Sequence, residues 1–228
     1  MDESGQAVFV VIPAYNEQTV VFQVVQEVRA EFSNVVVVDD GSFDATFAEA
    51  RRGGAIVLRH LINRGQGAAL RTGIEYSLLK GASVVATFDA DGQHRVEDVR
   101  RLAGALESSG ADVVIGSRFL GATSNIPPVR RGLLRLATIF MRLSSGVALT
   151  DAHNGLRAMT RQAAARMDLT IDGMAHASEI VDLIRRHNLR VTEVPVLIRY
   201  SEYSMRKGQS GLAAFRIAFD YLMKRLFR

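Results

Sequence analysis

Residues 84–94 read Val84-Val85-Ala86-Thr87-Phe88-Asp89-Ala90-Asp91-Gly92-Gln93-His94, an apolar, β-branched run that stops in two carboxylates. Such a run predicts a buried strand that delivers acids to the rim of a sheet, where ligands of open α/β sheets bind. Alternate residues of an extended chain point the same way, so Asp89 and Asp91 can face one divalent cation, and Gln93 adds a neutral oxygen. Taken alone, the segment is also compatible with a turn that uses Asp and Gly for backbone reasons.

Strands and helices alternate through the first half of the chain, which predicts a mainly parallel sheet covered by helices on both faces. The predicted strands are Val8–Ile12, Val35–Val38, Ile56–Leu58, Val84–Phe88 and Asp112–Ile115. The predicted helices are Glu17–Ala30, a helix after Asp44, Gln66–Leu79 and Glu97–Ser108. Farther along, the pattern predicts a helix at Ala175–His187, a strand at Val191–Arg199 and a polar segment at Tyr200–Ser210.

Two further helices, both amphipathic, are predicted in the C-terminal half. Arg130–Leu143 combines a wide apolar surface with a basic stripe that spans about 60° of arc, formed by Arg131, Arg135, Thr138 and Arg142. This helix either is buried except for its stripe or lies in a membrane interface with its arginines among the headgroups. Leu212–Phe227 is a second amphipathic helix, with cations near its end that suit the helix dipole.

Length and composition narrow the class of protein. At 228 residues without cysteine, the chain is most simply one domain with no disulfide or thiolate site, which fits an intracellular compartment. The N-terminus does not resemble a secretory signal, and no stretch approaches the roughly 18 apolar residues of a membrane span. We expect one main domain at 1–210, divided into halves at 1–118 and 119–210, and a C-terminal helix at 211–228.

The charge is distributed unevenly along the chain. Residues 1–115 carry 10 Lys and Arg against 16 Asp and Glu, a net charge of −6, and residues 116–228 carry 18 against 8, a net charge of +10. The first half therefore suits a metal, and the second suits anions. Because the chain has no helix-turn-helix, zinc-finger or aromatic RNA-binding pattern, nucleic acid is not the expected anion. A solvated basic face without a ligand is the simpler alternative.

Four more polar segments follow predicted strands, and a parallel sheet brings them to the same edge as Asp89. They are Pro13–Glu17, Asp39–Ser42, Asn63–Ala68 and Gly116–Arg118. Tyr15 offers a flat face to a base, and Glu17 or Asp39 can accept hydrogen bonds from base or ribose groups. Gly65 permits close backbone approach at a helix N-terminus, which favours anions, and Arg118 can bind a phosphate with its fork. Each segment alone is weak evidence, but together they predict a nucleotide and metal site.

These residues resemble family 2 glycosyltransferases of the GT-A fold, and within them the dolichol-phosphate mannose synthase-like polyprenyl-phosphate glycosyltransferases. The likeness covers about residues 8–200 and rests on Pro13–Glu17, Val37–Ser42, Asn63–Ala68, Asp89–His94, Gly116–Arg118 and Asp151–Arg157. It implies a Rossmann-like α/β fold. The implied activity is the inverting transfer of a hexosyl unit from a GDP- or UDP-sugar to a polyprenyl phosphate, by an enzyme peripheral to the cytoplasmic membrane face.

The same resemblance assigns roles to individual residues. Asp89, Asp91 and Gln93 would hold Mg²⁺ or Mn²⁺. Arg118 and Arg131 would receive the acceptor phosphate, and Asp89, Asp91 and Arg118 would form the catalytic set. Nucleotide-sugar contacts would come from Pro13, Tyr15, Glu17, Asp39, Asp40, Gly65, Asp89, Ala90, Asp91, Arg199 and Lys207.

The implied reaction needs no dedicated base, because a phosphomonoester with a second pKa of about 6 is largely dianionic at neutral pH. Two other functions stay open. A soluble glycosyltransferase acting on a saccharide or small-molecule hydroxyl would need a general base, for which Asp151 is the nearest strong candidate. A nucleotide-binding module without activity is the third. The chain also departs from mannose synthases in its closing segment Tyr200–Ser210, and it does not show the pair of C-terminal membrane-spanning helices that many relatives carry. Pairing of two subunits through the apolar helices is open as well.

Overall fold

The computed structural model describes residues 7–121 and 146–199, together with the single positions 132, 138, 139 and 142. Within these residues, the strands are β1 Val8–Ala14, β2 Asn34–Asp39, β3 Ile56–Arg59, β4 Val84–Thr87, β5 Val113–Ser117, β6 Arg157–Thr160 and β7 Val191–Pro195. The helices are α1 Val21–Arg29, α2 Thr46–Arg52, α3 Gln66–Leu79, α4 Val96–Ser109, α5 Arg161–Ala164 and α6 His176–Arg186.

The strands form one sheet in the order β3-β2-β1-β4-β6-β5-β7. Strand β1 pairs in parallel with β2 and β4, β2 with β3, and β5 with β7, whereas β6 runs antiparallel to both β4 and β5. Strands β1–β5 and β7 therefore point in one direction. Their carboxyl ends share one edge of the sheet, and β6 begins at that edge.

The core lies on both faces of this sheet. In β2, Val35 to Val38 are all fully buried, and alternate residues enter opposite cores: Val36 and Val38 pack on the face of α3 and α6, while Val35 and Val37 pack on the face of α1 and α4. A continuous valine run is the pattern expected of a strand that is covered on both sides. The two cores hold the strand ends, and so the carboxylates that follow them, in fixed positions.

The mainly parallel sheet with flanking helices, predicted from the alternating pattern, is confirmed. Two elements were not predicted, the antiparallel strand β6 and the short helix α5 behind it. The strand predicted to reach Arg199 was too long, since β7 ends at Pro195. Tyr200–Ser210 and Leu212–Phe227 lie outside the described residues, as does nearly all of Arg130–Leu143. None of the described helices combines the length and apolar character that crossing a bilayer requires.

Candidate active site

The first carboxylate after β4, Asp89, is held at the shared edge by two side chains. Nε2 of Gln66 donates to Asp89 Oδ1 at 3.0 Å, and Nε2 of His94 lies 3.0 Å from Oδ2. His94 is buried against the edge of Phe88, so it supports the loop from behind. Burial by itself raises the pKa of Asp89, but the hydrogen bond and charge of His94, followed by the charge of Arg157, bring it below its ordinary value. The carboxylate is thus held in its ionised form.

The second carboxylate, Asp91, lies in a less favourable environment. Its Oδ1 accepts a hydrogen bond from the backbone N–H of Gln93 at 3.0 Å. Burial, and then the charge of Asp89, raise the pKa of Asp91 to about 6, and Glu17 contributes in the same direction. Two neighbouring carboxylates that disfavour each other's charge are stabilised when a cation binds between them.

These residues fit a divalent metal, since hard cations such as Mg²⁺ and Mn²⁺ prefer carboxylate and amide oxygens. Asp89, Asp91 and Gln93 supply such oxygens on one short loop, residues 89–93, which we name the metal loop after the predicted ion. Within the described part of the chain, no three His, Asp or Glu side chains cluster in a way that could hold an ion by themselves. An ion at this loop would therefore need oxygens from a bound ligand or water to complete its coordination.

Residues predicted to contact the nucleoside border the same edge. Asp39, at the end of β2, is fully buried; its Oδ1 accepts from the backbone N–H of Ser42 at 3.0 Å, and its Oδ2 lies 3.1 Å from Nε of Arg59. Tyr15 is 37% exposed, and Glu17 is close enough to Asp91 to influence its pKa. The segment after β1 therefore lies close to the metal loop.

Three other predicted contacts contribute backbone rather than exposed side chains. Pro13 is buried inside β1 beside Val38 of β2, and Ala90 is buried between the two carboxylates. Gly65 has a φ of +107°, and a Cβ there would lie 2.4 Å from the carbonyl oxygen of Asp172. Only glycine fits this position, directly before α3.

The Asp40 carboxylate, predicted to bind the nucleotide sugar, is engaged with the loop in front of α3. Its Oδ1 lies 2.6 Å from Nδ1 of His60 and accepts from the backbone N–H of Arg64 at 3.0 Å. Its Oδ2 accepts from the backbone N–H of Gly65 at 2.6 Å, and Nε2 of His60 continues to the hydroxyl of Thr72. Asp40 therefore holds this loop in a fixed shape next to the site.

On the other side of the metal loop, Arg118 forms a two-pronged ion pair with Asp151. Nε and Nη2 of Arg118 each donate to one carboxylate oxygen at 2.6 Å, and the backbone N–H of Arg118 adds a third bond at 3.0 Å. Asp151 is almost fully buried and also lies 3.3 Å from Nδ2 of Asn154. Glu193 of β7 accepts from the backbone N–H of Asp151 at 2.9 Å, which fixes the segment from below. Asp151 is thus the anchor of Arg118.

Arg199 is brought to the metal loop by its backbone, whose N–H donates to the carbonyl oxygen of Gln93 at 2.8 Å. The backbone of Arg199 thus lies beside the loop that carries Asp91, and its contact with the nucleotide sugar stays a prediction. Arg131 and Lys207, the other two predicted cations, lie outside the described residues.

Two residues of the segment Asp151–Arg157, which the sequence analysis quoted without assigning them a role, shape the site. Arg157, the first residue of β6, is 1% exposed, and its charge acts on both Asp89 and Asp151. Gly155 lies so close to the metal loop that a Cβ would sit 2.0 Å from Oδ2 of Asp89. An arginine inside the apolar run Leu156-Arg157-Ala158-Met159 was the available signal for the first. No local signal identified the second, because its neighbour is 66 positions away.

Comparison with known proteins places these residues in a family. The sequence model described as glycosyl transferase family 2 matches residues 9–167. An uncharacterised protein of Methanocaldococcus jannaschii, MJ1222, is 40% identical over 96% of this chain and 93% of its own length. A UDP-N-acetylglucosamine–dolichyl-phosphate N-acetylglucosaminyltransferase of Methanococcus voltae is 29% identical over 98% of both chains. The polyprenol monophosphomannose synthase of Mycolicibacterium smegmatis is 34% identical over 89% of this chain and 81% of its own.

Among solved structures, glucosyl-3-phosphoglycerate synthase from Mycobacterium tuberculosis, crystallised with Mn²⁺, UDP-glucose and phosphoglyceric acid, superposes with a TM-score of 0.71. The alignment covers 98% of this chain and 80% of that one at 20% sequence identity. At this level of identity the likeness concerns the fold. The α/β architecture with its mixed seven-stranded sheet is therefore the GT-A fold expected from the sequence.

Proposed function

Because the chain belongs to glycosyl transferase family 2, we propose that it transfers a hexosyl unit from a nucleotide-diphosphate sugar to a polyprenyl phosphate, with inversion and with the help of a divalent metal. Two similar proteins support this acceptor by their names, which specify a dolichyl phosphate and a polyprenol monophosphate. A solved structure of the same fold, with Mn²⁺ and UDP-glucose bound, supports the donor class and the metal.

In the proposed donor site, Asp89, Asp91 and Gln93 hold Mg²⁺ or Mn²⁺ against the diphosphate. The metal would neutralise charge that develops on the departing nucleotide diphosphate. Arg199, held beside Gln93, and Lys207 add positive charge to the same group. The nucleoside lies along the ends of β1 and β2, where it contacts Pro13, Tyr15, Glu17 and Asp39, with Asp40, Gly65 and Ala90 shaping the surface around it.

The observation that carries the choice of acceptor is the two-pronged ion pair of Arg118 with Asp151. A hydroxyl acceptor needs a base to take its proton, and Asp151 was the strongest candidate for that role. In the structure both oxygens of its carboxylate accept hydrogen bonds from the Arg118 side chain, and the residue is almost fully buried, so neither oxygen is placed to contact an acceptor hydroxyl. A phosphate acceptor is already ionised, so it needs only a cation that orients it.

Arg118 is the proposed cation, since a guanidinium held in a fixed orientation presents a permanent positive charge to a phosphate. Asp151 would then position Arg118 rather than take a proton. Arg131 is proposed as the second acceptor-phosphate residue. This arrangement lets the acceptor oxygen approach the anomeric carbon while positive charge offsets its repulsion from the donor diphosphate.

The acceptor also determines the proposed location. A polyprenyl phosphate is available only at a membrane, so the enzyme would act as a peripheral protein at the cytoplasmic membrane face. Membrane contact is assigned to the basic stripe of Arg130–Leu143 and to Leu212–Phe227. In this division, residues 1–118 bind the donor and metal, 119–210 bind the acceptor, and 211–228 form the C-terminal helix.

A product assay tests the proposal. The full chain is incubated with Mg²⁺, a panel of UDP- and GDP-sugars and either polyprenyl phosphate in detergent or soluble saccharide acceptors. We expect a chloroform-soluble sugar phospholipid whose mass equals polyprenyl phosphate plus one hexosyl residue, with inverted configuration at the anomeric carbon by NMR. A water-soluble glycoside as the only product would contradict the acceptor, and the absence of any turnover across the panel would contradict the enzymatic assignment.

A further inference from the structure

Arg157 is an anomaly in the buried part of the molecule. It is 1% exposed, and neither Nε, Nη1 nor Nη2 has a hydrogen-bond partner among the described residues. A buried guanidinium without hydrogen bonds is costly, and an apolar side chain of the same length would normally be more stable there. Hydrogen bonding therefore does not account for an arginine at this position, and the role of the side chain lies in the action of its positive charge on neighbouring groups.

The sheet determines where this charge lies. Arg157 opens β6 at the shared carboxyl edge, in register with Thr87 of β4 on one side and Ile115 of β5 on the other. Strand β4 leads directly to Asp89, and β5 leads to Arg118. The guanidinium thus lies beneath the rim of the proposed site, between its donor and acceptor sides.

The neighbouring charges confirm this placement. Burial lowers the pKa of Arg157 to about 10, while Asp89, and next Asp151, act in the opposite direction and favour its charged form. Burial, followed by the charge of Arg157, lowers the pKa of His153 and of His176 to about 4, so both rings are neutral at pH 7. Since Asp151 already pairs with Arg118, the carboxylate left for Arg157 to balance is Asp89.

We propose that Arg157 is a positioning residue of the donor site: its buried positive charge cancels part of the negative charge of Asp89, so a divalent ion binds firmly only together with the donor diphosphate. The inference rests on the proposed function, because it takes Asp89 and Asp91 as the metal ligands. With Arg157 in place, the two carboxylates alone attract the ion weakly. The diphosphate restores the missing negative charge and supplies oxygens that this part of the chain lacks.

Direct contact with the substrate explains a buried arginine at position 157 less well than this effect of its charge. At 1% exposure, with β4 and β5 on either side, the guanidinium is covered by the protein itself. Charge, unlike a hydrogen bond, acts through this cover, and it acts more strongly in a buried setting than in water.

The test measures Mn²⁺ binding by the electron paramagnetic resonance signal of the free ion, without acceptor, with and without UDP or GDP. For the wild-type chain, we expect the nucleotide diphosphate to tighten Mn²⁺ binding by at least about tenfold. Arg157→Met should bind Mn²⁺ alone at least about tenfold more tightly than the wild type, because a repelling charge is gone. Arg157→Lys keeps the charge and should resemble the wild type, and Arg190→Met, at the opposite edge of the sheet, should have no effect.

Equal or weaker Mn²⁺ binding by a folded Arg157→Met protein would overturn the inference, as would wild-type binding that is equally tight with and without nucleotide. Thermal melting reports whether the variant is folded, and Arg157→Gln provides a second neutral side chain if methionine prevents folding. Asp91→Asn separates this inference from the proposed function. If it abolishes Mn²⁺ binding while Arg157→Met changes nothing, the metal site stands and only the role of Arg157 fails.

Discussion

Two pairs of charged residues at the same edge of the sheet are built in opposite ways. On the proposed donor side, Asp89 and Asp91 carry like charges, and burial together with the charge of Asp89 raises the pKa of Asp91 to about 6. On the acceptor side, Arg118 and Asp151 carry opposite charges and satisfy each other through two hydrogen bonds at 2.6 Å. A cation between the members of the first pair would relieve their repulsion, whereas the members of the second pair already compensate each other's charge. From this contrast we expect the proposed donor side to be completed by its ligand, whereas the proposed acceptor side is held together by the protein's own contacts.

The largest effect is expected from substituting Asp91, the carboxylate of the like-charged pair whose ionised form is less favoured. Asp91→Asn preserves the shape of the loop but removes a negative charge from the proposed metal site. We expect turnover to fall by roughly a hundredfold to a thousandfold, the range for losing one preorganised electrostatic partner of a reaction. Steady-state kinetics with saturating donor and acceptor would measure it.

Asp168→Asn is the matched control, since Asp168 is an exposed carboxylate on the loop after α5, outside the proposed site. It should retain wild-type turnover. If Asp91→Asn also retains it, the assignment of the metal to this loop is wrong, and the contrast between the two pairs loses its functional meaning.

The next effect tests how tightly the protein holds the donor carboxylate. A Cβ at residue 155 would lie 2.0 Å from Oδ2 of Asp89, so Gly155→Ala must displace either that carboxylate or the turn before β6. We expect kcat/KM to fall by about a hundredfold, because misplacement by an ångström is sufficient for such a loss. Gly104→Ala in α4, where a Cβ meets nothing within 4 Å, is the control and should leave kcat/KM unchanged.

A Gly155→Ala protein that melts like the wild type and keeps full activity would show that the Asp89 carboxylate tolerates displacement. In that case its hydrogen bonds with Gln66 and His94 do not define the site.

The fold could be predicted from the sequence where structure is local. Each parallel strand from β1 to β4 is an apolar run followed by a helix, β5 is likewise an apolar run, and the sequence pattern identified all five strands. Strand β6 was missed because its four residues contain an arginine and pair antiparallel with two strands far away in sequence. The end of β7 at Pro195 was also missed, although proline cannot donate to a sheet ladder.

The same distinction between local signals and long-range contacts applies to the residues of the site. Residues that follow local strand ends, such as Asp39, Asp89 and Arg118, were identified because the carboxyl edge of a parallel sheet gathers them. What those side chains touch depends on contacts across the fold. Asp40 was expected at the nucleotide and is bonded to the loop before α3, while Asp151 was considered as a base and is bonded to Arg118. The sequence pattern therefore locates the site, whereas the hydrogen-bond and ion-pair partners of each residue determine its role.

The third prediction addresses the opposite-charge pair. Asp151→Asn removes the counter-charge of Arg118 but keeps the side-chain shape. If Asp151 positions Arg118, the KM for polyprenyl phosphate should rise by about tenfold, with a smaller fall in kcat and an unchanged pH profile, because the lost interaction is one of binding. If Asp151 were a base, kcat would fall by far more and the acidic limb of the pH profile would disappear.

Asp112→Asn provides a matched control for this variant. Asp112 pairs with Arg190 at the opposite end of β5, through its carboxylate and with an additional backbone N–H bond, as Asp151 does with Arg118. The control should change neither KM nor kcat. A rise in acceptor KM in both variants would mean that loosening β5 in general, not the Arg118 anchor, causes the effect.

The smallest effect concerns stability, and it follows from the raised pKa of Asp91. Burial and the charge of Asp89 place this pKa at about 6, against an ordinary value of 3.8, so the folded chain binds a proton more tightly than the unfolded chain between those values. The contribution of Asp91 to the free energy of unfolding therefore falls as pH rises from about 4 to 6, and the loss persists at pH 7. His153 and His176, with pKa values lowered to about 4, act in the opposite direction, so the prediction concerns the difference between Asp91→Asn and the wild type.

Urea unfolding without metal should show Asp91→Asn gaining about 1 to 2 kcal/mol relative to the wild type at pH 7 and almost nothing at pH 4. Saturating Mg²⁺ should shrink the gain at pH 7, because an ion between the two carboxylates relieves the repulsion that the substitution removes. An equal gain at both pH values would mean that Asp91 ionises normally, and the donor pair would then differ from the acceptor pair in geometry but not in electrostatics.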